Sequence, residues 1–401
     1  MTDLSVQNDE TSRALRAGLA DELEADGSLR SPQWRKAVET VPREAFLPEF
    51  FTDGTGTDGI TRYTKTSRDS GENGWLNLVY QNKTWVTQLD HGTATAADEG
   101  VTGVPTSSST LPGVVVGMLE DFDVPEGKKI YEAGSGTGYS TALACARYGD
   151  EFVTSCEHDP RLSALVRERL ASLGYRPRLL AGDAGKGCWD GAPYGGVIAT
   201  YSPSSVPAPW VEQTEEGGTI LVSLGGGLDA YGYIRLVKTG GDKAEGMFLN
   251  GQVSFMLSRE LARPEIGPLM RAALADQDAA QPLDAQVEPD AVESPALMWA
   301  AQIAMPGVTR LRLTAGDVSG RWFLHPDGSW AVLETSPAGT PRAYEGGPQR
   351  LWTLLEDVAV KWLADDRPSV ERYGLTVAGG ENTVWLDTPD NPVGVLPTRR
   401  D

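Results

Sequence analysis

The sequence predicts an α/β protein: a doubly wound parallel sheet with an antiparallel hairpin at one edge, followed by a small C-terminal α+β module. Two patterns predict it. Between residues 128 and 259 short apolar strands alternate with helical spacings, which implies a parallel sheet covered on both faces. Beyond a break rich in Ala, Asp, Gln, Glu and Pro, a second run of strands surrounds one amphipathic helix. At 401 residues and 43.0 kDa the chain is long enough for two cores.

Taken in order, residues 1–51 read as a helical segment. Leu15, Leu19 and Leu23 recur every four residues, Asp26-Gly27-Ser28 interrupts, and a second helix runs from Pro32 to just before Val41-Pro42. Residues 52–109 are rich in Gly, Thr, Ser and Asp and are expected to be an irregular insertion or lid. The core is expected over residues 110–260. Its strands are Lys129–Ala133, Glu151–Glu157, Arg178–Ala181, Gly196–Thr200 and Thr219–Leu224, with an edge hairpin from Tyr231–Lys238 and Met247–Leu257. Residues 261–295 read as a linker with one short helix near Leu269–Leu274. The accessory module, 296–401, has strands at Thr309–Thr314, Gly320–His325 and Trp330–Thr335, the last two joined across Pro326-Asp327-Gly328. Leu351, Leu354, Leu355, Val358 and Trp362 then share one helical face, and strands follow at Tyr373–Val377 and Thr383–Leu386.

Charge and composition exclude several function classes. With 56 acidic and 35 basic residues the formal charge is −21, a sign that repels phosphate backbones and anionic lipid, so neither nucleic acid nor a membrane is an expected partner. The first eight residues have no basic start and no apolar run, and no segment reaches the ~18 apolar residues of a membrane helix. Cys145, Cys156 and Cys188 form no CxxC pair and read as buried small residues of a reducing compartment. His91, His158 and His325 stand in no metal or nucleophile constellation, so no metal is expected. The expected location is the cytoplasm.

Glu132, Ala133, Gly134, Ser135, Gly136, Thr137, Gly138 and Tyr139 carry the first core strand through a glycine loop into a helix. Glycines let such a loop turn tightly and bring its backbone against a nucleotide-like ligand. The dinucleotide fingerprint fails at Tyr139, and no GK[ST] ending marks a Walker loop. Glu157, with His158 behind it, closes the second strand where a carboxylate can accept both ribose hydroxyls. Gly182-Asp183, followed by Ala184, closes the third, where a carboxylate can bind an adenine amino group. Either carboxylate alone reads equally well as a cap. The ordered set, with no phosphate-binding element, indicates S-adenosylmethionine, released as S-adenosylhomocysteine.

The chain also resembles the protein-L-isoaspartate O-methyltransferase family. The matching pieces, in order, are Val41-Pro42-Arg43 with Phe46 and Pro48-Glu49, Thr110-Leu111-Pro112 with Met118, Glu132 to Tyr139, Gly174-Tyr175, Gly182-Asp183, Ala192-Pro193-Tyr194 leading to Ile198-Ala199-Thr200, and Gly217-Gly218. They span residues 13–259. Thr110 stands where the family has a serine, and Gly195 where it has an aspartate.

The resemblance implies methyl transfer to a carboxylate of a peptide or protein. Such a carboxylate is already ionised near neutral pH, so the site needs positioning groups rather than a base. Thr110, helped by Ser109, is expected to grip it, with Ser108, Pro112, Thr200 and Tyr201 near the substrate. An aspartyl methyl ester can close to a succinimide (aspartimide) as the next backbone nitrogen expels methanol. The length, the extra module and the altered signature point to the long variants that modify ribosomally made peptides, with a dedicated precursor peptide as partner. Repair of isoaspartyl residues in damaged proteins is the alternative, and a silent cofactor-binding scaffold is a third reading.

Overall fold

The computed structural model describes residues 10–55, 61–93, 100–251, 253–259, 264–315, 317–336 and 340–398. The N-terminal octapeptide, which carries no basic start or apolar run, parts of the 52–109 segment and the first three residues of the expected linker lie outside them. The chain divides into two compact units. The first holds residues 1–200 and 209–221, the second 201–208 and 222–401.

The first unit opens with α1 (Glu10–Ala25) and α2 (Pro32–Thr40), the latter started by Pro32 and by Ser31 Oγ, which accepts the Trp34 amide. The segment expected to be irregular is instead largely sheet. Strands β1 (Glu49–Thr55), β2 (Thr61–Ser67), β3 (Trp85–Leu89) and β4 (Pro105–Ser109) pair antiparallel in the order β2-β1-β3-β4, with α3 (Glu72–Val79) between β2 and β3. A small apolar cluster of Tyr63, Leu89 and Val101, flanked by Phe51 and Val86, is buried on it.

Next come α4 (Pro112–Phe122), β5 (Ile130–Ala133), α5 (Tyr139–Tyr148), β6 (Val153–Glu157), α6 (Pro160–Ser172), β7 (Arg178–Ala181), β8 (Tyr194–Ala199), α7 (Ala208–Gln213) and β9 (Thr214–Gly225), whose residues up to Leu221 belong to this unit. All four pairings of β9-β8-β5-β6-β7 are parallel. Central strands β5, β6 and β8 are buried along their whole length, as expected of parallel strands covered on both faces. At β8 the cover is so close that a Cβ on Gly196 would lie 2.5 Å from Val124 and 2.7 Å from Phe122. The first strand, β5, has β6 on one side and β8 on the other, so successive crossovers leave it in opposite directions. That reversal opens a crevice at the carboxyl ends of β5 and β8, the standard ligand position in such sheets.

The second unit contains β10 (Tyr231–Gly240), β11 (Lys243–Met247), α8 (Ile266–Gln277), β12 (Leu283–Asp284), α9 (Pro295–Ala304), β13 (Thr309–Ala315), β14 (Val318–Leu324), β15 (Trp330–Thr335), β16 (Arg342–Gly346), α10 (Leu351–Ala364), β17 (Tyr373–Ala378), β18 (Glu381–Leu386) and β19 (Pro392–Leu396). An edge hairpin is present as β10 and β11, but its second strand is Lys243–Met247, which shares only Met247 with the expected Met247–Leu257. The strands of the expected C-terminal module fall into two sheets. Strand β17 pairs with β11, Ala244 opposite Val377 and Met247 opposite Gly374, so β17, β18 and β19 continue the hairpin sheet. Only β13 to β16 form a separate meander, extended by β12. The expected linker carries α8, whose Met270 and Ala273 are buried with Trp322, Leu324, Trp330 and Val332 of that meander. The boundary between units accordingly falls inside the residues expected to be one core. Among the described residues no helix is long and apolar enough to cross a membrane.

Candidate functional site

The glycine loop leaves β5 with three residues at positive φ: Gly134 at 99°, Gly136 at 55° and Gly138 at 94°. L side chains rarely adopt such angles, so the loop path requires these glycines. Gly138 is also pinned by packing, since a Cβ there would lie 3.0 Å from Val166 and 3.3 Å from Phe46. Gly136 differs: the nearest atom to its notional Cβ is the Ser108 carbonyl oxygen, 3.8 Å away. Strand β4 therefore runs beside the loop and leaves space there.

Beneath the loop lies Glu132, 3% exposed. Ser140 Oγ and Thr141 Oγ1 donate to it at 2.5 Å and Ser155 Oγ at 2.6 Å. Burial pushes its carboxyl above the usual carboxylate range, and the three hydroxyls oppose that shift. Glu132 thus supports the loop from within the core. Ser135 joins the same network through Ser155, 2.6 Å between hydroxyls, and the Thr137 carbonyl accepts from Arg169 at 3.0 Å.

Glu157 ends β6 beside the loop, with one carboxylate oxygen accepting Gly136 N–H at 2.9 Å and the other Asp159 N–H at 3.0 Å. Sequence reasoning missed Asp159. It caps α6 by accepting Arg161 N–H at 2.8 Å and accepts Gln88 Nε2 of β3 at 3.3 Å. The run Asp159-Pro160 before a helix was the available signal. His158 between them is exposed. Asp183 is half-buried and accepts Gly185 N–H at 3.0 Å, while the Ala184 carbonyl accepts from Tyr131 and Trp210, each at 2.9 Å. Thr200 closes the crevice from the β8 side: its amide donates to the Ala133 carbonyl at 2.9 Å and its hydroxyl to the Gly134 carbonyl. Tyr201 begins the second unit.

Strand alternation sorts the hydroxyls of β4 and of Thr110 just after it. Ser107 and Ser109 are buried, at 5% and 3% exposure, whereas Ser108 and Thr110 are half-buried. Ser109 Oγ is turned inward, 3.5 Å from Arg43 Nη2. Among the described residues the Ser108 and Thr110 hydroxyls have no hydrogen-bond partner. Pro112 is buried as the first residue of α4. Gly195 lies at the opposite end of β8 from Thr200, its amide on the Lys129 carbonyl at 2.8 Å, and a Cβ there would sit 2.7 Å from Lys128. An aspartate at this position is therefore remote from the glycine loop.

These groups fit a ribosyl cofactor without phosphate. Glu157 lies at the loop with Asp159 two residues on, a pair that repels phosphate and offers carboxylate acceptors to ribose hydroxyls. All three cysteines are buried, and burial raises the Cys145 and Cys156 thiols, so none is set up as a nucleophile.

Residues 84–256 match the family model for protein-L-isoaspartate (D-aspartate) O-methyltransferase. A protein-L-isoaspartate O-methyltransferase of Ignicoccus hospitalis is 35% identical over 204 residues, covering 50% of this chain and 78% of that protein. The chain belongs to the protein-L-isoaspartate (D-aspartate) O-methyltransferase family. A further relative with the same name, from Hyperthermus butylicus, is 26% identical over 249 residues, 60% of this chain and 86% of that one. A solved structure of a protein-L-isoaspartate O-methyltransferase shares the fold with a TM-score of 0.52 at 18% identity, covering 93% of this chain and all of the other. The methyltransferase family's fold is thus present here together with the C-terminal β-rich unit.

Proposed function

We propose that this chain is an S-adenosylmethionine-dependent carboxyl O-methyltransferase that esterifies an aspartate side chain in a ribosomally made peptide, the ester then cyclising to an aspartimide or yielding isoaspartate. One observation carries the methyl-transfer reading: the hydroxyls of Ser108 on β4 and of Thr110 just after it, both without a hydrogen-bond partner among the described residues, stand on the segment that runs beside the open side of Gly136 in the glycine loop. Family membership agrees with it.

When bound, the cofactor supplies an electrophilic methyl group on a positive sulfonium. Glu157 would hold its ribose, with the loop backbone from Gly134 to Gly138 against it and Asp183 and Ala184 at the adenine end. The acceptor carboxylate is ionised at neutral pH, so these residues remove no proton. Thr110 and Ser108 donate hydroxyl hydrogen bonds to one carboxylate oxygen and thereby orient the other; this is positioning, worth orders of magnitude in rate when geometry is right. Ring closure afterwards needs no group on the enzyme: the backbone nitrogen following the ester attacks its carbonyl, the C–O bond to methoxide breaks, and the amide proton passes through solvent to the methoxide, which leaves as methanol.

A dedicated peptide is supported by residues 257–401, which lie beyond the family match, and by Thr110 in place of serine. Added recognition surface suits one defined partner. Repair of isoaspartyl proteins is the second reading. The fold match covering 93% of this chain favours it, because a C-terminal unit then need not mark a special substrate.

Mass spectrometry of peptides incubated with cofactor tests both. A peptide with normal aspartate should gain a methyl group and then lose methanol, and Thr110→Ala should suppress the gain. Preferential methylation of generic isoaspartyl peptides would replace the tailoring reading by repair. Binding of cofactor with no transfer to either peptide would leave a scaffold.

A further inference from the structure

We propose that Arg43 is a positioning residue for the methyl-transfer step: its buried guanidinium fixes the turn at residues 79–84, and that turn fixes the backbone of Thr110 to Gly113. The inference rests on the role proposed above for Thr110.

Arg43 is 0% exposed. Among the described residues no carboxylate forms an ion pair with it, although charged side chains are almost never fully buried unless paired. Its partners are backbone carbonyls and, at 3.5 Å from Nη2, the Ser109 hydroxyl. Nη1 donates to Val79 at 2.7 Å and Gln81 at 2.8 Å, while Nη2 donates to Lys83 at 3.0 Å and Thr110 at 3.4 Å. The Tyr139 ring, at the head of α5, lies 5.8 Å from the guanidinium carbon, within cation–π range. Burial lowers the guanidinium pKa to about 10, which still leaves it charged at neutral pH.

The turn gripped from one side by Arg43 grips the Thr110 segment from the other. Thr84 Oγ1 accepts Leu111 N–H at 3.0 Å, and Asn82 Oδ1 accepts Gly113 N–H at 2.8 Å. Thr110 is therefore held at its carbonyl by Arg43 directly and at the next amide through the turn. Among the described residues its own hydroxyl has no hydrogen-bond partner. Lysine cannot replace this arrangement, because three donors on one nitrogen cannot span carbonyls that lie on two sides of a planar fork. A residue that never meets substrate would thus aim the one that does.

The test compares Arg43→Lys, Thr110→Ala, the double variant and Thr84→Ala for kcat/KM on the methylated peptide, for S-adenosylhomocysteine affinity and for Tm. If Arg43 acts through Thr110, Arg43→Lys lowers kcat/KM about 10- to 100-fold while cofactor affinity stays within about two-fold, and adding Thr110→Ala costs nothing more. Losses that multiply in the double variant, or a parallel loss of cofactor affinity, would reduce Arg43 to a structural residue. Should Arg43→Lys fail to fold, the exposed Thr84→Ala decides. A lowered kcat/KM at unchanged Tm and cofactor affinity supports the proposal, and wild-type kinetics overturn it. A silent Thr110→Ala would remove the underlying reading of Thr110 as well, so the two failures are distinguishable.

Discussion

The carboxylate of Glu157 accepts the amide of Gly136 at 2.9 Å, which ties the end of the second core strand to the middle of the glycine loop. The same group is proposed to hold the cofactor ribose. Glu157→Gln replaces one acceptor oxygen by an NH2 that faces a backbone N–H or a ribose hydroxyl. Hydrogen bonds to a charged group contribute about 1.5–3 kcal/mol, so S-adenosylhomocysteine should bind about 10- to 100-fold more weakly by calorimetry. An unchanged dissociation constant would take Glu157 out of the cofactor site.

Gly136 and Gly138 should separate binding from stability. Alanine at Gly138 must hold φ near 94° with its Cβ 3.0 Å from Val166, so Gly138→Ala should lower stability by about 1–3 kcal/mol. Gly136 has φ of 55°, inside the ordinary left-handed region, and 3.8 Å of clearance from the protein. Gly136→Ala should cost only about 1 kcal/mol in denaturant unfolding. Its methyl group fills the space reserved for ligand, so cofactor affinity should fall more than for Gly138→Ala. The reverse ranking would place the ligand elsewhere.

The parallel core was legible because its signals are local. Ile130–Ala133 is apolar apart from Glu132, and glycines follow it; the structure has strand and loop at those residues. The β1–β4 sheet was hidden because two of its four strands, β2 and β4, are polar. Thr61–Ser67 and Pro105–Ser109 hold one large apolar residue between them, Tyr63, and their order is set by pairings such as Trp85 with Ser109 rather than by periodicity. The division of the C-terminal strands was hidden for a similar reason. Nothing near Tyr373 shows that it will align beside residues 243–247 rather than beside the strands just before it. In the site, Glu157 and the loop could be read from their places at strand ends. Arg43 could not, since an arginine in sequence carries no sign of complete burial, and only the Val41-Pro42-Arg43 match drew attention to it.

That non-local sheet suggests its own experiment. Gly374 of β17 lies opposite Trp385 of β18, and a Cβ on Gly374 would lie 2.1 Å from the indole. Trp385 covers the glycine, is 4% exposed, and donates its Nε1–H to Thr376 at 3.1 Å. Gly374→Ala must displace the ring and strain that bond. Overpacking of this kind costs about 1–3 kcal/mol, so Tm should fall and tryptophan emission should shift to the red. A variant as stable as the parent would mean that the indole does not lie on Gly374.

Glu132 gives a pH dependence whose sign follows from its surroundings. Burial raises its carboxyl above the ordinary value of 4.5, against the opposing hydroxyls of Ser140, Ser155 and Thr141. Between that ordinary value and the raised one, the folded chain binds more protons than the unfolded chain. Stability contributed by this group is therefore full below 4.5 and is lost as pH rises through the folded value. Glutamine has the same shape and no titration, so Glu132→Gln lacks the slope. The stability of the parent relative to Glu132→Gln should shrink from mildly acidic to neutral buffer, as measured by denaturant midpoints on both proteins. A difference that grows with pH would mean that the hydroxyls outweigh burial and hold Glu132 as a carboxylate beneath the loop.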